Sequence, residues 1–485
     1  MKAENSEPIG PGVLTGQRYL DSLRDGRAVW LDGERIADVT QHPQFRDLAH
    51  EMARIYDLQH APGTRDSMTF LEPSGVRVSY SYLEPRSAAD LQKRRANAEI
   101  WAQQSYGMMG RYPDFCAAMT VGFKDASDEL ERLDPAFAKN ASTYHRFASH
   151  NDLCLAHALH DPSMDRSLRP EQDPDRCVRI VRELDGGIVV RGARLATLPA
   201  YANEILVAPT YILNPRERDH ALWFAVPIAT DGLKIVCRSS FANRGPFSHP
   251  ASSRFDEQDA LVIFDDVFVP WERVFLARAP EVANTVYRTR VMAWAGYAAA
   301  IQLLARLELL IGVAHLLATT AGIDQRPAVQ VELGELVTYK RIFQDLVRVA
   351  EIDHVTTKGG LVAPGNLLHK RAFIGMVSER IVSIIEHIGT SSLIFLPGEN
   401  DLVTPELKPL LDVYARGRGV NALARTRLCK LAWELTGDAF GGRQQLYERL
   451  HSGSPDTITA GVYLRYDKRK ATAMVEELLG CRLQD

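Results

Sequence analysis

The 485-residue chain is short of several features that mark whole classes of protein. It has six cysteines, Cys116, Cys154, Cys177, Cys237, Cys429 and Cys481. They are scattered without paired spacing, which fits a reducing cytosol better than a disulfide framework. Its net charge is only −4, so its overall balance gives no reason to expect nucleic acid or an acidic membrane surface as partner. It has no phosphate-cradling loop ending in Lys-Ser or Lys-Thr. Its one Gly-x-Gly-x-x-Ala match, "GRGVNA" at 417–422, follows "LLDVYAR", which is too polar for the buried strand a dinucleotide site needs. The opening "MKAENSEPIG" lacks the apolar core of a signal peptide. In the apolar stretch 291–322, Arg306, Glu308 and His315 intervene before a membrane-spanning run accumulates. The expectation is a soluble cytoplasmic protein in which this stretch is the central helix of a buried bundle.

What is present is ordinary globular composition, 46% hydrophobic and 24% charged, at a length that suggests two or three domains. Periodicity divides the chain into three regions. Residues 1–150 are mainly helical after a hairpin in "AVWLDGERI", where Asp32-Gly33 is the turn. A helix opens at Ser87 with Asp90 at capping-box spacing and is expected to run until Gly110 breaks it. Residues 151–275 carry short β-branched runs without intervening helices, including two around Asp185-Gly186-Gly187. They read as an antiparallel barrel or sandwich. Residues 276–485 return to long helical patterns with three- and four-residue spacing, the signature of a helical bundle. The fold class is therefore α+β.

Two stretches invite a chemical reading. "HRFASHNDLCLAHALH" places His145, His150, Cys154, His157 and His160 within sixteen positions, but the spacings match no standard zinc module. No metal is expected; His145 and His150 read as solvated and Cys154 as a small packed residue. His157 ends an apolar run and is either a satisfied core histidine or a group that titrates near neutral pH. In "YGMMGRYPDFCAA", Arg111 stands between Gly110 and Pro113, where the chain must turn. Such an arginine either satisfies helix-terminal carbonyls or presents a fixed positive charge to a site.

Taken together, "TGQRYLDSLRDGRAVWLDGERIADVTQHPQFR", "YGMMGRYPDF", "NDLCLAHALHDPSMDRS", "VVRGARLATLPAYANE", "SSRFDEQDALVIFDDVFVPWERVF" and "FGGRQQLYERLHSGSP" resemble, in this order, the 4-hydroxyphenylacetate 3-hydroxylase family. These are the large oxygenase components of two-component flavin monooxygenases, and the resemblance spans essentially the whole chain. It implies an acyl-CoA-dehydrogenase-like architecture: a helical domain, a central β-barrel and a C-terminal four-helix bundle, assembled as a tetramer. It also implies that FAD arrives reduced from a separate NAD(P)H-dependent reductase. Reaction with O2 then gives a C4a-hydroperoxide, whose distal oxygen is attacked by a phenolate-activated ring at the ortho position. Thr197 and the "GGRQ" segment, with Arg443 and Gln444, are implied to serve the flavin.

In the family an arginine, a tyrosine four residues later and a downstream histidine hold the substrate. Arg111 and His157 match the first and third, at the flavin edge, and Phe115 occupies the tyrosine position. Three readings follow: Arg111 and His157 grip a phenol alone, the ring is of another kind such as indole or pyrrole, or Tyr106 or Tyr112 supplies the hydroxyl. The loop 207–220, "VAPTYILNPRERDH", is implied to cover the substrate, with Thr210 and Tyr211 at its start. Its charged tip suits a solvated lid or a contact for an anionic or carrier-tethered substrate. Rivals are a dehydratase or dehydrogenase of the same fold, and a non-catalytic flavin or aromatic-ligand carrier. The cysteine spacing an iron–sulfur dehydratase needs is lacking near Cys116.

Overall fold

The computed structural model describes residues 11–483 apart from 111, 112, 163, 164, 166, 211, 242–244, 366 and 452. Twelve strands precede the long helices: β1 Val29–Leu31, β2 Glu34–Ile36, β3 Thr69–Leu71, β4 Arg77–Ser79, β5 Leu155–His160, β6 Arg179–Leu184, β7 Gly187–Thr197, β8 Glu204–Val207, β9 Leu222–Pro227, β10 Leu233–Cys237, β11 Asp259–Pro270 and β12 Val274–Ala277. Asp32 and Gly33 both take positive φ, 50° and 81°, and close the expected β1–β2 hairpin with Leu31 opposite Glu34. The β6–β7 hairpin closes around Asp185-Gly186 with Leu184 opposite Gly187.

The central sheet is open, not a closed barrel. Its ten strands run β12-β9-β8-β5-β7-β11-β10-β1-β2, with β6 on the other part of β7. It is not purely antiparallel: β5 pairs with β8, and β1 with β10, in parallel. The first and last strands of this order, β12 and β2, have no pairing with each other, so the sheet has two edges. β2 is three residues long, and its Glu34 and Arg35 side chains are exposed, a short charged edge that discourages further pairing.

Helices cover the sheet. Ser87 caps the Ala88–Gln104 helix as expected: its hydroxyl accepts the Asp90 N–H, while the Asp90 carboxylate accepts the Ser87 hydroxyl and the Arg86 N–H. This helix stops at Gln104, short of Gly110. Tyr106 and Gly107 have φ of 53° and 66°, so the chain leaves the helical path there. A new helix, Pro113–Asp125, starts with proline in its first turn, where a missing N–H costs nothing.

The longest helix, Met292–Ala321, ends at Gly322 with φ 72°. The helical run Pro280–Ala321 that contains it is long and apolar enough to cross a membrane, yet 56% of its most apolar window is buried inside the molecule. Met292–Ala321 packs against Ala88–Gln104 and Pro113–Asp125 and against Pro327–Ile352, Leu368–Gly389 and Ala422–Thr436. The apolar run thus forms the hub between the helices of the first and last regions.

Candidate active site

The site is built where β5, β7 and β11 meet the helices Pro113–Asp125 and Ala439–Leu446. His157 lies on β5, almost wholly buried, and Phe115 lies in the first turn of Pro113–Asp125. Their rings meet with centroids 5.4 Å apart and planes at 52°. Two residues 42 positions apart in sequence are therefore packed ring to ring. On the other side, His157 is the direct cross-strand partner of Thr197 on β7, so both side chains rise from one face of the sheet.

Thr197 opens onto a cleft of about 960 Å³. Its sheet wall comprises Leu195, Thr197, Val236, Arg238, Asp259 and Leu261; its helical wall comprises Ala439, Gly442, Arg443, Leu446, Tyr447 and Leu450. The Thr197 hydroxyl lies 3.3 Å from the Asp259 carboxylate, to which it donates, and 3.3 Å from the Tyr447 hydroxyl. Arg443 donates to both Asp259 oxygens, at 2.9 and 2.5 Å, and to Glu257 at 2.9 Å. Its guanidinium sits 4.3 Å from the Tyr447 ring centroid. Arg238 donates to Asp259 at 3.1 Å and to Asp256 at 2.6 Å.

Charge is balanced tightly in this wall. Burial disfavours the charged Arg443, but Glu257 and Asp259 outweigh it and hold the guanidinium more firmly protonated than usual. Burial likewise pushes Asp259 up, and Arg443 with Arg238 pull it below the usual carboxylate range. Glu257, wholly buried, stays raised by burial despite Arg443.

Gln444, implied to serve the flavin, is not among the residues that line the cleft. It is buried behind the wall, where its Oε1 accepts from Arg306 at 2.9 Å and its Nε2 donates to the Met108 carbonyl at 3.0 Å. Thr210 is half-buried; its hydroxyl donates to the Leu159 carbonyl at 3.1 Å, which ties the start of the loop 207–220 to β5. Arg111, Tyr112 and Tyr211 lie outside the described residues. Gly110 and Pro113 bracket Arg111, and Pro113 begins the helix that carries Phe115. Tyr106 is directed elsewhere, packing edge-on against Phe255 at 5.8 Å.

Two expectations about solvation fail. His145 is buried, with Thr120 Oγ1 at 2.8 Å from its Nδ1, and burial lowers its pKa to about 3. His150 is paired with Glu72 at 2.8 Å. The histidine-rich stretch runs from the end of a helix into β5, which turns its members toward different neighbours. Among the described residues no three His, Cys, Asp or Glu side chains converge on a metal position. The charged loop tip is also less solvated than expected. Glu217 is buried, accepts the Asn214 N–H at 2.8 Å and forms an ion pair with Arg169 at 2.8 Å, leaving Arg216 and Arg218 exposed.

Residue-type reasoning missed Tyr447, Arg238, Asp259 and Glu257. The only signal was the acidic "FDEQDAL" ahead of an apolar strand, which reads equally well as a solvated turn. It also missed Asp114, whose carboxyl is buried beside Phe115. Burial raises its pKa to about 7, partly opposed by Arg94 across a cavity the size of a single water.

Residues 15–276 match the family model "4-hydroxyphenylacetate 3-hydroxylase N terminal", and residues 282–480 match "4-hydroxyphenylacetate 3-hydroxylase C terminal". The chain is 37% identical to the 4-hydroxyphenylacetate 3-monooxygenase oxygenase component of Thermus thermophilus, over 94% of this chain and 95% of that protein. It is 34% identical to a Streptomyces globisporus monooxygenase of (3S)-3-amino-3-(3-chloro-4-hydroxyphenyl)propanoyl groups on a peptidyl-carrier protein, over 92% and 86%. A crystal structure of a 4-hydroxyphenylacetate 3-monooxygenase oxygenase component with FAD and 4-hydroxyphenylacetate superposes with a TM-score of 0.91 at 36% identity, covering 96% of this chain and 98% of that one.

Proposed function

Because the chain belongs to the 4-hydroxyphenylacetate 3-hydroxylase family, we propose that it is the oxygenase component of a two-component flavin monooxygenase that hydroxylates a phenol-like ring at the ortho position. A separate NAD(P)H-dependent reductase supplies the reduced FAD. The observation that carries the reading is the placement of Thr197: it joins the buried Phe115–His157 pair to a cleft large enough for a dinucleotide. The cleft fits that cofactor chemically. Leu195, Val236, Leu261 and Leu446 offer apolar surface to a ring system, while Thr197, Arg238 and Arg443 offer donors to its polar atoms.

Reduced FAD with O2 supplies an electrophilic oxygen; the protein's own residues prepare the ring that receives it. The Arg111 guanidinium steadies negative charge on the phenol oxygen, and the His157 imidazole accepts or shares its proton. Phe115 closes the pocket beside His157 with an apolar ring and helps to keep water out. Thr210 and Tyr211 begin the loop that covers the substrate. Phe115 in place of tyrosine leaves the phenol with one hydrogen bond fewer, and also favours a second reading in which the ring is an indole or pyrrole. A carrier-tethered substrate is of the kind named for the Streptomyces relative, and the exposed Arg216 and Arg218 suit an acidic carrier.

At the level of architecture the reading is an acyl-CoA-dehydrogenase-like chain with units at 1–150, 151–275 and 276–485, the last holding a four-helix bundle. The protein works as a cytoplasmic homotetramer. The test supplies reduced FAD, O2 and a panel of phenols and indoles to the purified protein and follows product mass. A product heavier by one oxygen is expected, and Arg111→Ala should abolish it while leaving the assembly intact. Hydrogen peroxide alone with every ring tried, or full coupling in Arg111→Ala, would overturn the proposal.

A further inference from the structure

Three helices enclose a small polar chamber behind the turn that carries Phe115. Its walls include Arg94 and Asn97 of Ala88–Gln104, Asp114 of Pro113–Asp125 and Tyr297 of Met292–Ala321, with Ser81 at the turn that precedes the first of them. It offers about 10 Å³ to the centre of a water molecule, which is room for one water and for little else. Asp114, Asn97 and Arg94 are all buried. Neither oxygen of the Asp114 carboxyl has a hydrogen-bond partner among the described residues, and neither does Asn97 Oδ1. The other polar groups of the wall are committed elsewhere. Asn97 Nδ2 donates to Ser81 Oγ at 2.9 Å, Arg94 Nη1 donates to the Leu83 carbonyl at 2.7 Å, and the Tyr297 hydroxyl donates to the Glu351 carboxylate.

A buried carboxyl left without a hydrogen bond is costly, whether or not it carries its proton. A water confined beside it removes that cost if it finds two to four polar partners. The chamber supplies them: two oxygens of Asp114, Oδ1 of Asn97 and the guanidinium of Arg94, which has five N–H donors in all. We propose that one resident water is bound here by Asp114, Asn97 and Arg94, and that Asp114 is through it a positioning residue for Phe115. The helical period sends neighbouring side chains about 100° apart. Asp114 can therefore fasten the turn to Ala88–Gln104 through the water while Phe115, the next residue, meets the His157 ring. Losing the water frees the turn that sets this ring contact. The positioning role rests on the reading that Phe115 and His157 border the substrate; the water site does not.

The experiment is a high-resolution crystal structure of the full-length protein, with Asp114→Leu and Asp114→Asn beside it. The unmodified protein should show one water within about 3.2 Å of Asp114 and of Asn97 or Arg94. Asp114→Leu, close in size but apolar, should lose the water and shift Phe115 from its 5.4 Å contact with His157. Asp114→Asn, which can still bond a water, should keep both. In turnover with reduced FAD, O2 and a phenol, Asp114→Leu should raise KM at least about fivefold and change kcat by less than about twofold. Asp114→Asn should stay within about twofold of the unmodified protein in both. A merely structural loss would lower the active fraction, and so kcat, without moving KM. Asn97→Leu removes a water partner from the facing helix, should act in the same direction, and serves if Asp114→Leu does not fold. A chamber without water density in the unmodified protein would overturn the site. Phe115 and KM unmoved in both leucine variants would overturn the positioning role. Failure of the unmodified protein to hydroxylate any ring would overturn the functional reading instead, and the density would still decide the water.

Discussion

At the scale of single residues the proposed site turns on Phe115. Its ring lies against His157, so a hydroxyl added there would stand beside the imidazole proposed to face the substrate. Phe115→Tyr should raise kcat/KM for simple 4-substituted phenols about fivefold, the equivalent of one net hydrogen bond of about 1 kcal/mol. Steady-state kinetics on a matched phenol series checks this, and no gain for any member would mean that the pocket is remodelled around a different ring. Phe115 and His157, whose rings meet, could be singled out in the sequence through the stretches that resemble the family. Glu257 and Tyr447 could not. A glutamate in "FDEQDAL" carries no mark of burial, and Tyr447 acquires its role only by meeting Thr197 from 250 positions away.

At the scale of elements, the hairpins, the Ser87 cap and the long apolar helix could be read from local pattern, because turn glycines, caps and periodicity act over a few residues. The sheet's topology could not. β1 reaches across to pair with β10, and the choice of an open sheet over a barrel depends on which edges find partners. Residues 107 and 108 show the same limit, since Gly107 packs on the Arg306 backbone and Gln444 holds the Met108 carbonyl. Gly107→Ala should lower the melting temperature by an amount equivalent to about 1–3 kcal/mol of overpacking. Coupled hydroxylation should fall alongside, because the new methyl group meets the Arg306 backbone at a position with φ of 66°. Unfolding scans and product-to-oxygen ratios measure the two effects. An unchanged ratio would show that the packing of Gly107 does not bear on the reaction.

The Asp152 contact offers a test of electrostatics between elements. This buried carboxylate accepts from the Leu14 N–H at 2.9 Å and from Gln59 Nε2 at 2.6 Å, which ties the chain near residue 14 to the end of the Arg46–Asp57 helix. Burial raises its pKa to about 7 against these bonds. The folded state therefore holds a proton that the unfolded state releases near pH 4, and this contribution to stability is lost as pH rises from about 4 to 7. Asp152→Asn should accordingly gain in melting temperature, relative to the unmodified protein, as pH increases across that window. A difference that stays flat with pH would place the ionised form comfortably in the fold.

At the scale of the whole molecule, the C-terminal helix Arg469–Leu479 buries none of its residues in this chain, yet aligns Ala471, Met474, Val475, Leu478 and Leu479 along one stripe. Eleven residues make a marginal helix without a partner surface, and the proposed tetramer would provide one. Leu478→Glu combined with Leu479→Glu should shift sedimentation toward smaller species, with the melting temperature of the remaining fold nearly unchanged. Sedimentation identical to the unmodified protein would remove this helix from any interface.

The two walls of the cleft are made far apart in time. Phe115, His157 and the sheet wall with Thr197 leave the ribosome long before Gly442, Arg443 and Tyr447 of the helical wall. A nascent or prematurely terminated chain therefore has one wall of the cleft without the other.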